Sequence, residues 1–397
     1  MSTELKDTSR WPYYDEEQIS AVSEVLSSGK VNYWTGDNGK LFEQEYAEYI
    51  GCKHAIAVAN GTVALDLALH ALDIGSGDEV VTTSRTFIAT VSSIVLAGAT
   101  PIFADIDLCS QNITLETIKK VVTKKTKAII VVHLAGWPCE MDEIMRFSEQ
   151  RGIVVIEDCA QAHGAAYRGK KVGSIGHVAA FSFCQDKIMT TGGEGGMVTT
   201  NSDELWSKMW SYKDHGKSWE EVNRNDHPPG FRWLHSSFGT NYRMTEMQAV
   251  MGRIQLKKLN LWVKKRQEHC AAIWGNAEKS SALRVPQLPD HIEHAGYKCY
   301  VFIKLDLLRA GWNKTKIINE ISNLGVACFS GSCSEVYLEK AFENKGIRPE
   351  KNLDNAEKLG KTALMFLVHP TMTNQEINLT NEVLTRVMTM ATTGICK

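Results

Sequence analysis

The amino-acid sequence predicts an α/β protein: a mainly parallel sheet between helices, followed by a smaller C-terminal α+β domain. Two observations favour this fold. Short runs rich in β-branched residues alternate with helical stretches from residue 54 to about residue 200, and the runs are apolar throughout instead of alternating with polar residues. Continuous apolar runs are typical of strands that are covered on both faces, as in a parallel sheet.

Seven apolar runs provide the predicted strands of a seven-stranded sheet. The stretches between the first five have helical patterns, for example TVALDLALHALDI after Gly61 and TLETIKKVVTK from residue 114. Because strands and helices alternate in this way, we expect most strands to be parallel. The predicted strands are HAIAVA (54–59), DEVVTT (78–83), TPIFADID (100–107), KAIIVV (127–132), IVVIED (153–158), VAAFSF (178–183) and GMVTT (196–200).

The pattern changes after about residue 253. A long helix of mixed charge comes first, then a strand-like stretch at 297–306, YKCYVFIKLD, and then helices separated by short strands. We therefore divide the chain into a large domain of residues 1–252 and a small domain of residues 253–397. The sequence has no Pro-rich or low-complexity linker, so we expect the two domains to pack closely.

Composition narrows the possible functions. A formal net charge of −2 provides no basic field for nucleic acid. The N-terminal stretch is polar and the longest apolar runs are too short to span a bilayer, which predicts a cytoplasmic protein without membrane contact. The ten cysteines form no C-x-x-C pair and the sequence has no H-E-x-x-H, so we expect reduced thiols and no metal site.

Ligands of parallel α/β sheets bind at the carboxyl ends of the strands, so polar residues that follow the apolar runs are the candidates. After the first run, Asn60-Gly61-Thr62 opens a helix whose backbone N–H groups could hold a phosphate. The alternative is a plain turn with Thr62 as the helix N-cap.

Asp158 ends the apolar run VVIED, and Gln161 and His163 follow it. A carboxylate at the end of a buried strand requires a cation or hydrogen-bond donors, because desolvation of a charge is costly. A helix-capping aspartate is the alternative.

Lys187 lies in SFCQDKIMTTGGEGG, between an apolar strand and four glycines. A P-loop would place its glycines before the lysine, so this stretch is not a P-loop. A solvated surface lysine is one alternative. The glycines at 192, 193, 195 and 196 instead indicate close approach of another group beside Lys187.

Two further strand ends carry candidates. Phe87, in SRTFIAT, could lie face-on to a flat heteroaromatic ring, or it could be a core residue. Asn241, in GTNYRMTEMQ, precedes an apolar helix and could instead be its N-cap.

Together these residues predict a site for pyridoxal 5′-phosphate (PLP). This cofactor needs a lysine for its Schiff base, an acid beside its pyridinium nitrogen, an aromatic ring to stack on it, and a helix N-terminus with a hydroxyl for its phosphate. Asp158 would keep the ring nitrogen protonated, because an adjacent carboxylate favours the charged form.

The whole chain resembles the DegT/StrS-type (DegT/DnrJ/StrS) sugar aminotransferases, which have the PLP-dependent transferase fold type I. The resemblance is specific over about residues 20–260 and looser toward the C-terminus. It rests on NGTVALDLAL, GDEVVTTSRTFIAT, GATPIFADID, VHLAGWPCEMDEI, VIEDCAQAHGA, FSFCQDKIMTTGGEGGM and GTNYRMTEMQAVMGRIQL.

This resemblance implies a role for each candidate. Lys187 is the Schiff-base and catalytic lysine, and Asp158 is the partner of the pyridinium nitrogen. The other implied contacts are Gln161 with the phenolic oxygen of the cofactor, Phe87 with its ring, and Ser182, Gly61 and Thr62 with its phosphate. Asn241 would reach the phosphate of the cofactor bound in the neighbouring subunit, which implies a homodimer with shared active sites. Residues 213–239 would lie near the dimer interface and the substrate.

The implied reaction is amino transfer from L-glutamate to a nucleotide-linked keto-6-deoxysugar in O-antigen or other surface-polysaccharide synthesis. The N-terminal stretch WPYYDEEQISAVSEVLSSGKVNYWTG resembles enzymes that act at C4, so we expect conversion of dTDP-4-keto-6-deoxy-D-glucose to dTDP-4-amino-4,6-dideoxy-D-glucose. The alternatives are a GDP- or UDP-linked 4-keto sugar, or amination at C3 of a 3-keto sugar.

Two other classes remain as alternatives. Dehydratases of the family resemble this chain but have a histidine where Lys187 stands. A non-catalytic PLP-binding regulator would need a lost lysine or an added DNA-binding domain. The chain also departs from many relatives at 328–342, where it has Ser330-Gly331-Ser332 and they have a loop with tyrosine and proline. We therefore do not assign the substrate contacts of that loop to residues of this chain.

Overall fold

The computed structural model describes residues 10–227 and 229–392. Its first two hundred residues contain the predicted seven-stranded sheet, and each predicted strand is found within a few residues of its expected bounds. The strands of this half are β1 (His54–Val58), β2 (Glu79–Thr83), β3 (Thr100–Ala104), β4 (Thr126–Val132), β5 (Val154–Asp158), the short β6 (Ala166–Tyr167) and β7 (Lys170–Lys171), β8 (Val178–Ser182) and β9 (Gly196–Thr200).

The main sheet has the strand order β1-β9-β8-β5-β4-β2-β3. The pairs from β3 through β2, β4 and β5 to β8 are parallel, whereas β9 runs antiparallel to both β8 and β1. The prediction of a mainly parallel sheet is therefore confirmed. Since β1, β2, β4, β5 and β8 point the same way, their carboxyl ends meet at one edge of the sheet.

Helices cover both faces of this sheet. They are α1 (Glu16–Ser28), α2 (Asn38–Ile50), α3 (Gly61–Ala71), α4 (Ala89–Leu96), α5 (Leu115–Lys119), α6 (Met141–Glu149), α7 (Asp203–Lys213) and α8 (Trp219–Asn223). Buried apolar side chains of the strands, such as Ile56 and Ile130, pack on α3 through Leu67. On the opposite face Ala57 and Phe181 pack on α2 through Phe42.

The remainder of the chain forms the expected α+β unit. Its elements are α9 (Glu246–Ala277), β10 (Leu283–Arg284), β11 (Ile292–Glu293), β12 (Cys299–Ile303), α10 (Lys314–Asn323), β13 (Cys328–Phe329), α11 (Asp354–Thr362), β14 (Ala363–Phe366) and α12 (Asn374–Ala391). An antiparallel sheet of order β10-β12-β14-β13 is its centre. A small separate sheet has the order β11-β6-β7.

Helix α9 begins at Glu246, which is seven residues before the predicted mixed-charge pattern and directly after the stretch where Asn241 was expected to precede an apolar helix. Thr245 caps it, and Thr245 and Gln248 form a reciprocal capping box that places the first turn before Arg253. The predicted domain boundary after residue 252 therefore falls inside this helix, and the division into two domains stays a prediction. No helix among the described residues combines the length and apolar character needed to cross a membrane.

Candidate active site

Gly61 and Ser182 meet where β1 and β8 end. A Cβ atom on Gly61 would lie 2.6 Å from the Cβ of Ser182, so only glycine leaves room at this contact. Asn60 caps α3 by accepting a hydrogen bond from the Val63 N–H, which shows that the alternative of Thr62 as N-cap is wrong. The cap leaves the N–H groups of Gly61 and Thr62 available for an external anion at the positive end of the helix.

Asp158 is buried at the carboxyl end of β5. One carboxylate oxygen accepts a hydrogen bond from Thr90 Oγ1 at 2.8 Å, and the other accepts one from the Ala160 N–H at 3.1 Å. Burial raises the pKa of Asp158 above its usual value, although these hydrogen bonds and the charge of Lys187 act in the opposite direction. No helix begins directly after Asp158, so it is not a helix-capping aspartate.

A buried pair, His133 and Glu157, lies beside Asp158, since Glu157 precedes Asp158 on β5 and the His133 N–H donates to the Asp158 carbonyl oxygen. The Nδ1 of His133 accepts the Cys139 N–H, so its Nε2 donates to Glu157 at 3.0 Å. Three backbone N–H groups, those of Gly173, Ile175 and Gly176, also donate to Glu157. Burial raises the pKa of Glu157, but His133 and the backbone hydrogen bonds outweigh this effect, and the pKa falls below its usual value. The chain around Asp158 is therefore anchored by a charged, fully hydrogen-bonded carboxylate.

Lys187 is largely enclosed, because its side chain is 17% exposed. Its Nζ lies 3.4 Å from Asp186 Oδ1 and 3.5 Å from Tyr297 Oη. Tyr297 also donates a hydrogen bond to the other oxygen of Asp186. The indole Nε1 of Trp11 donates to the Lys187 carbonyl oxygen at 2.8 Å. Lys187 is therefore not an ordinary solvated surface lysine.

Two of the glycines that follow Lys187 have backbone conformations that favour glycine, and a third makes a close contact. Gly192 and Gly193 have φ values of 91° and 124°, which residues other than glycine rarely adopt. A Cβ on Gly196 would lie 2.4 Å from the Asn60 carbonyl oxygen. The glycine run thus brings β9 against the start of α3.

Phe87 and Gln161 lie at the same edge of the sheet. Phe87 is 69% exposed, so the alternative interpretation of Phe87 as a core residue is wrong. Gln161 accepts the Ala135 N–H through its Oε1 at 2.8 Å, and its amide NH₂ group remains available to donate. The contacts of Phe87 and Gln161 with the cofactor stay predictions.

Asn241 lies on an exposed segment that runs antiparallel to the end of β1. Tyr242 O accepts the Ala59 N–H, and Arg243 pairs with Val58. Because Thr245 caps α9, the alternative of Asn241 as N-cap is wrong. Its contact with a neighbouring subunit stays a prediction.

The role of His163 could not be predicted from the sequence. Its Nε2 donates to the Ser182 carbonyl oxygen at 2.8 Å, so its Nδ1 accepts from the Tyr46 hydroxyl at 2.9 Å. Burial lowers the pKa of His163 to about 4, which keeps the ring neutral and this arrangement of protons fixed. Tyr46 precedes His163 by 117 residues, and no local sequence pattern links the two.

The residues present fit PLP. Gly61 meets Ser182 with no room for a Cβ at the N-terminus of α3, a place that suits a phosphate. Asp158 is a buried acid without a cationic hydrogen-bond partner among the described residues. A protonated ring nitrogen would supply that cation. The fold and the site together are those of a PLP-dependent aminotransferase of fold type I.

The chain belongs to the DegT/DnrJ/EryC1/StrS aminotransferase family, whose sequence profile matches residues 12–385. It is a PLP-dependent sugar aminotransferase. A crystal structure of an aminotransferase from Psychrobacter cryohalolentis is 56% identical, covers 97% of this chain and 100% of its own, and superposes with a TM-score of 0.96.

Two enzymes of known activity are also similar. GDP-perosamine synthase of Caulobacter vibrioides is 44% identical over 269 residues, which cover 65% of this chain and 68% of that enzyme. The dTDP-3-amino-3,6-dideoxy-alpha-D-galactopyranose transaminase of Aneurinibacillus thermoaerophilus is 38% identical over 293 residues, which cover 73% of this chain and 76% of that enzyme.

Proposed function

We propose that this protein transfers the amino group of L-glutamate to the C4 keto group of a nucleotide-linked 4-keto-6-deoxysugar. The first candidate substrate is dTDP-4-keto-6-deoxy-D-glucose, which would become dTDP-4-amino-4,6-dideoxy-D-glucose for a surface polysaccharide such as O-antigen. The observation that carries the reaction is the enclosed Lys187 amino group at the same sheet edge as buried Asp158.

When PLP is bound, it supplies an electron sink that stabilises negative charge on the reacting carbon. Asp158 holds the proton on the ring nitrogen, and Gly61 with Ser182 fixes the position of the phosphate. Lys187 moves the proton at the reacting carbon, since its Nζ is the basic group that Asp186 and Tyr297 hold at this edge.

The relatives set the alternatives for the substrate. The name of GDP-perosamine synthase, at 44% identity, favours a GDP-linked sugar as the second candidate. The transaminase of Aneurinibacillus thermoaerophilus makes a dTDP-linked sugar with the amine at C3, which keeps amination at C3 as a further alternative. The WPYYDEEQ stretch supports the C4 assignment.

We also propose a homodimer that shares its active sites through residues 213–239 and Asn241. Three aromatic side chains of this segment support the proposal, because Phe231, Trp233 and Phe238 are 77%, 84% and 98% exposed in the single chain. Exposed apolar groups concentrated in one segment are typical of an interaction surface.

The reaction is tested with a panel of dTDP-, GDP- and UDP-linked 3-keto and 4-keto sugars. Each is incubated with L-glutamate, and release of 2-oxoglutarate is followed. We expect the fastest release with dTDP-4-keto-6-deoxy-D-glucose. Equal rates with the 3-keto and 4-keto sugars would show that the C4 assignment is wrong. Faster release with a GDP-linked sugar would show that the substrate carries GDP instead of dTDP.

The role of Lys187 is tested with Lys187→Ala, and Lys170→Ala is the control because Lys170 is exposed on β7. We expect Lys187→Ala to lose the yellow absorbance of lysine-bound PLP and all turnover, whereas Lys170→Ala should keep both. Full amino transfer by Lys187→Ala would overturn the assignment.

A further inference from the structure

A cavity of about 730 Å³ lies beside Lys187. It is bounded by the N-terminal segment, the loop that carries Lys187, helix α9 and the residues next to β12 and β14. Its volume lies in the range of small-molecule sites. The charged and titratable side chains among its lining residues are Arg10, Tyr14, Asp186, Arg266, Tyr297, Lys298 and His369.

Arg266 enters this cavity from α9 and is only 2% exposed. Its Nη1 donates to the Tyr297 carbonyl oxygen at 3.4 Å, while Nε and Nη2 have no hydrogen-bond partner among the described residues. These two nitrogens form one edge of the guanidinium, the edge that binds a carboxylate or phosphate through two parallel hydrogen bonds. A buried charge without such partners is costly.

Lys298 adds another cation to the same cavity. Burial lowers its pKa to about 8, and the nearby charges of Arg266 and Lys187 act in the same direction, against that of Asp186. The negative charge of Asp186 does not act on Lys298 alone, since Asp186 also contacts Lys187 and accepts a hydrogen bond from Tyr297. The pKa of His369 is lowered to about 4, so this side chain is neutral near pH 7. The cavity therefore has an excess of positive charge.

We propose that the cavity is an oxyanion subsite in which Arg266 and Lys298 bind a carboxylate or phosphate of a substrate that reacts at Lys187. Asp186 and Tyr297 line the cavity and also contact the Lys187 Nζ, which places a ligand there next to the reacting group. The inference rests on the proposed function, because the oxyanion belongs either to the dicarboxylate amino donor or to the diphosphate of the sugar nucleotide.

The test uses the PLP-loaded enzyme and Lys298→Met, with Lys304→Met as the matched control. Lys304 follows β12 and is exposed, and it does not line the cavity. Binding of 2-oxoglutarate and, separately, of dTDP and GDP is measured by calorimetry. We expect Lys298→Met to weaken one of these two ligand classes about tenfold or more, as for loss of a charge-assisted hydrogen bond. Arg266→Lys should weaken the same class.

The two classes of ligand identify the source of the oxyanion. Weaker binding of 2-oxoglutarate assigns the cavity to the amino donor, and weaker binding of the nucleoside diphosphates assigns it to the sugar nucleotide. Affinity of the wild-type enzyme should also fall as the pH rises through about 8, where Lys298 loses its proton, and this step should be absent in Lys298→Met.

Unchanged affinity for both classes in Lys298→Met, relative to Lys304→Met, would overturn the oxyanion subsite. That outcome differs from failure of the proposed function, in which the wild-type enzyme would release no 2-oxoglutarate with any keto sugar.

Discussion

Asp186 and Lys187 are neighbours in the chain and also contact each other through their side chains, with 3.4 Å between Asp186 Oδ1 and the Lys187 Nζ. Burial raises the pKa of Asp186, but Lys187 and the hydrogen bond from Tyr297 outweigh this effect and hold the pKa below its usual value. Asp186 is therefore charged near neutral pH, and it positions the lysine amino group.

Asp186→Asn should lower kcat about tenfold, since the amide holds the Lys187 amino group less firmly during proton transfer. KM should not rise, because the change removes a negative charge from the proposed oxyanion cavity. Asp142→Asn is the control, because Asp142 is an exposed carboxylate on α6. Steady-state rates with L-glutamate and a keto sugar measure both constants. A rise in KM alone would show that Asp186 acts only in binding.

Asp158→Asn should lower kcat about a hundredfold or more, because a carboxamide does not keep the ring nitrogen of the cofactor protonated. Thr90 and Ala160 donate to different oxygens of Asp158. In the variant the Ala160 N–H can still donate to the amide oxygen while the Thr90 hydroxyl accepts from the amide NH₂ group, so the fold should be retained. Rates are compared with those of Asp158→Glu, which keeps the charge and should recover part of the activity. Equal activity of Asp158→Asn and wild type would contradict the role of this acid.

Gly61→Ala should weaken PLP binding about tenfold or more, since the added Cβ would lie 2.6 Å from the Cβ of Ser182 and displace the phosphate cradle. Gly275→Ala is a matched control, because a Cβ at this helical position meets no atom within 4 Å. Fluorescence titration of the cofactor-free proteins with PLP measures the affinities. Similar affinities for the two variants would place the phosphate elsewhere.

The free energy of unfolding should decrease as the pH falls from about 6.5 to about 4. The folded-state pKa of His163 is about 4, whereas the unfolded-state value is about 6.5, so only the unfolded chain binds the proton in this window. Each pKa unit corresponds to about 1.4 kcal/mol. Urea unfolding at several pH values measures the slope, which should be smaller in His163→Gln. An unchanged slope in that variant would contradict a neutral His163.

Replacing Trp233 and Phe238 together by serine should shift the protein toward a monomer and reduce turnover, because these exposed rings would lie at the proposed dimer interface. Leu379→Ser is the control, since Leu379 is an exposed apolar residue on α12. Sedimentation velocity measures the association state. A dimer of unchanged stability would place the interface outside residues 213–239.

The main sheet was predictable because its strands are apolar on both faces, and burial of this kind is visible in a single run of residues. Gly61 and Asp158 were predictable for a related reason, since ligands bind where such strands end. His163 and the pair of Glu157 with His133 were not, because their partners come from distant parts of the chain and are chosen by packing. The mixed-charge pattern from residue 253 shows only the later part of α9, whose first turn is set by the capping box of Thr245 and Gln248.

The hydrogen bond from the Trp11 indole to the Lys187 carbonyl has a practical consequence for handling the enzyme. The face of the same indole lies 5.0 Å from the guanidinium carbon of Arg266, so the first described residues of the chain are part of the wall beside the lysine. A purification tag at the N-terminus is joined to the same segment of the chain. Spectra and rates should therefore be compared on protein from which such a tag has been cleaved.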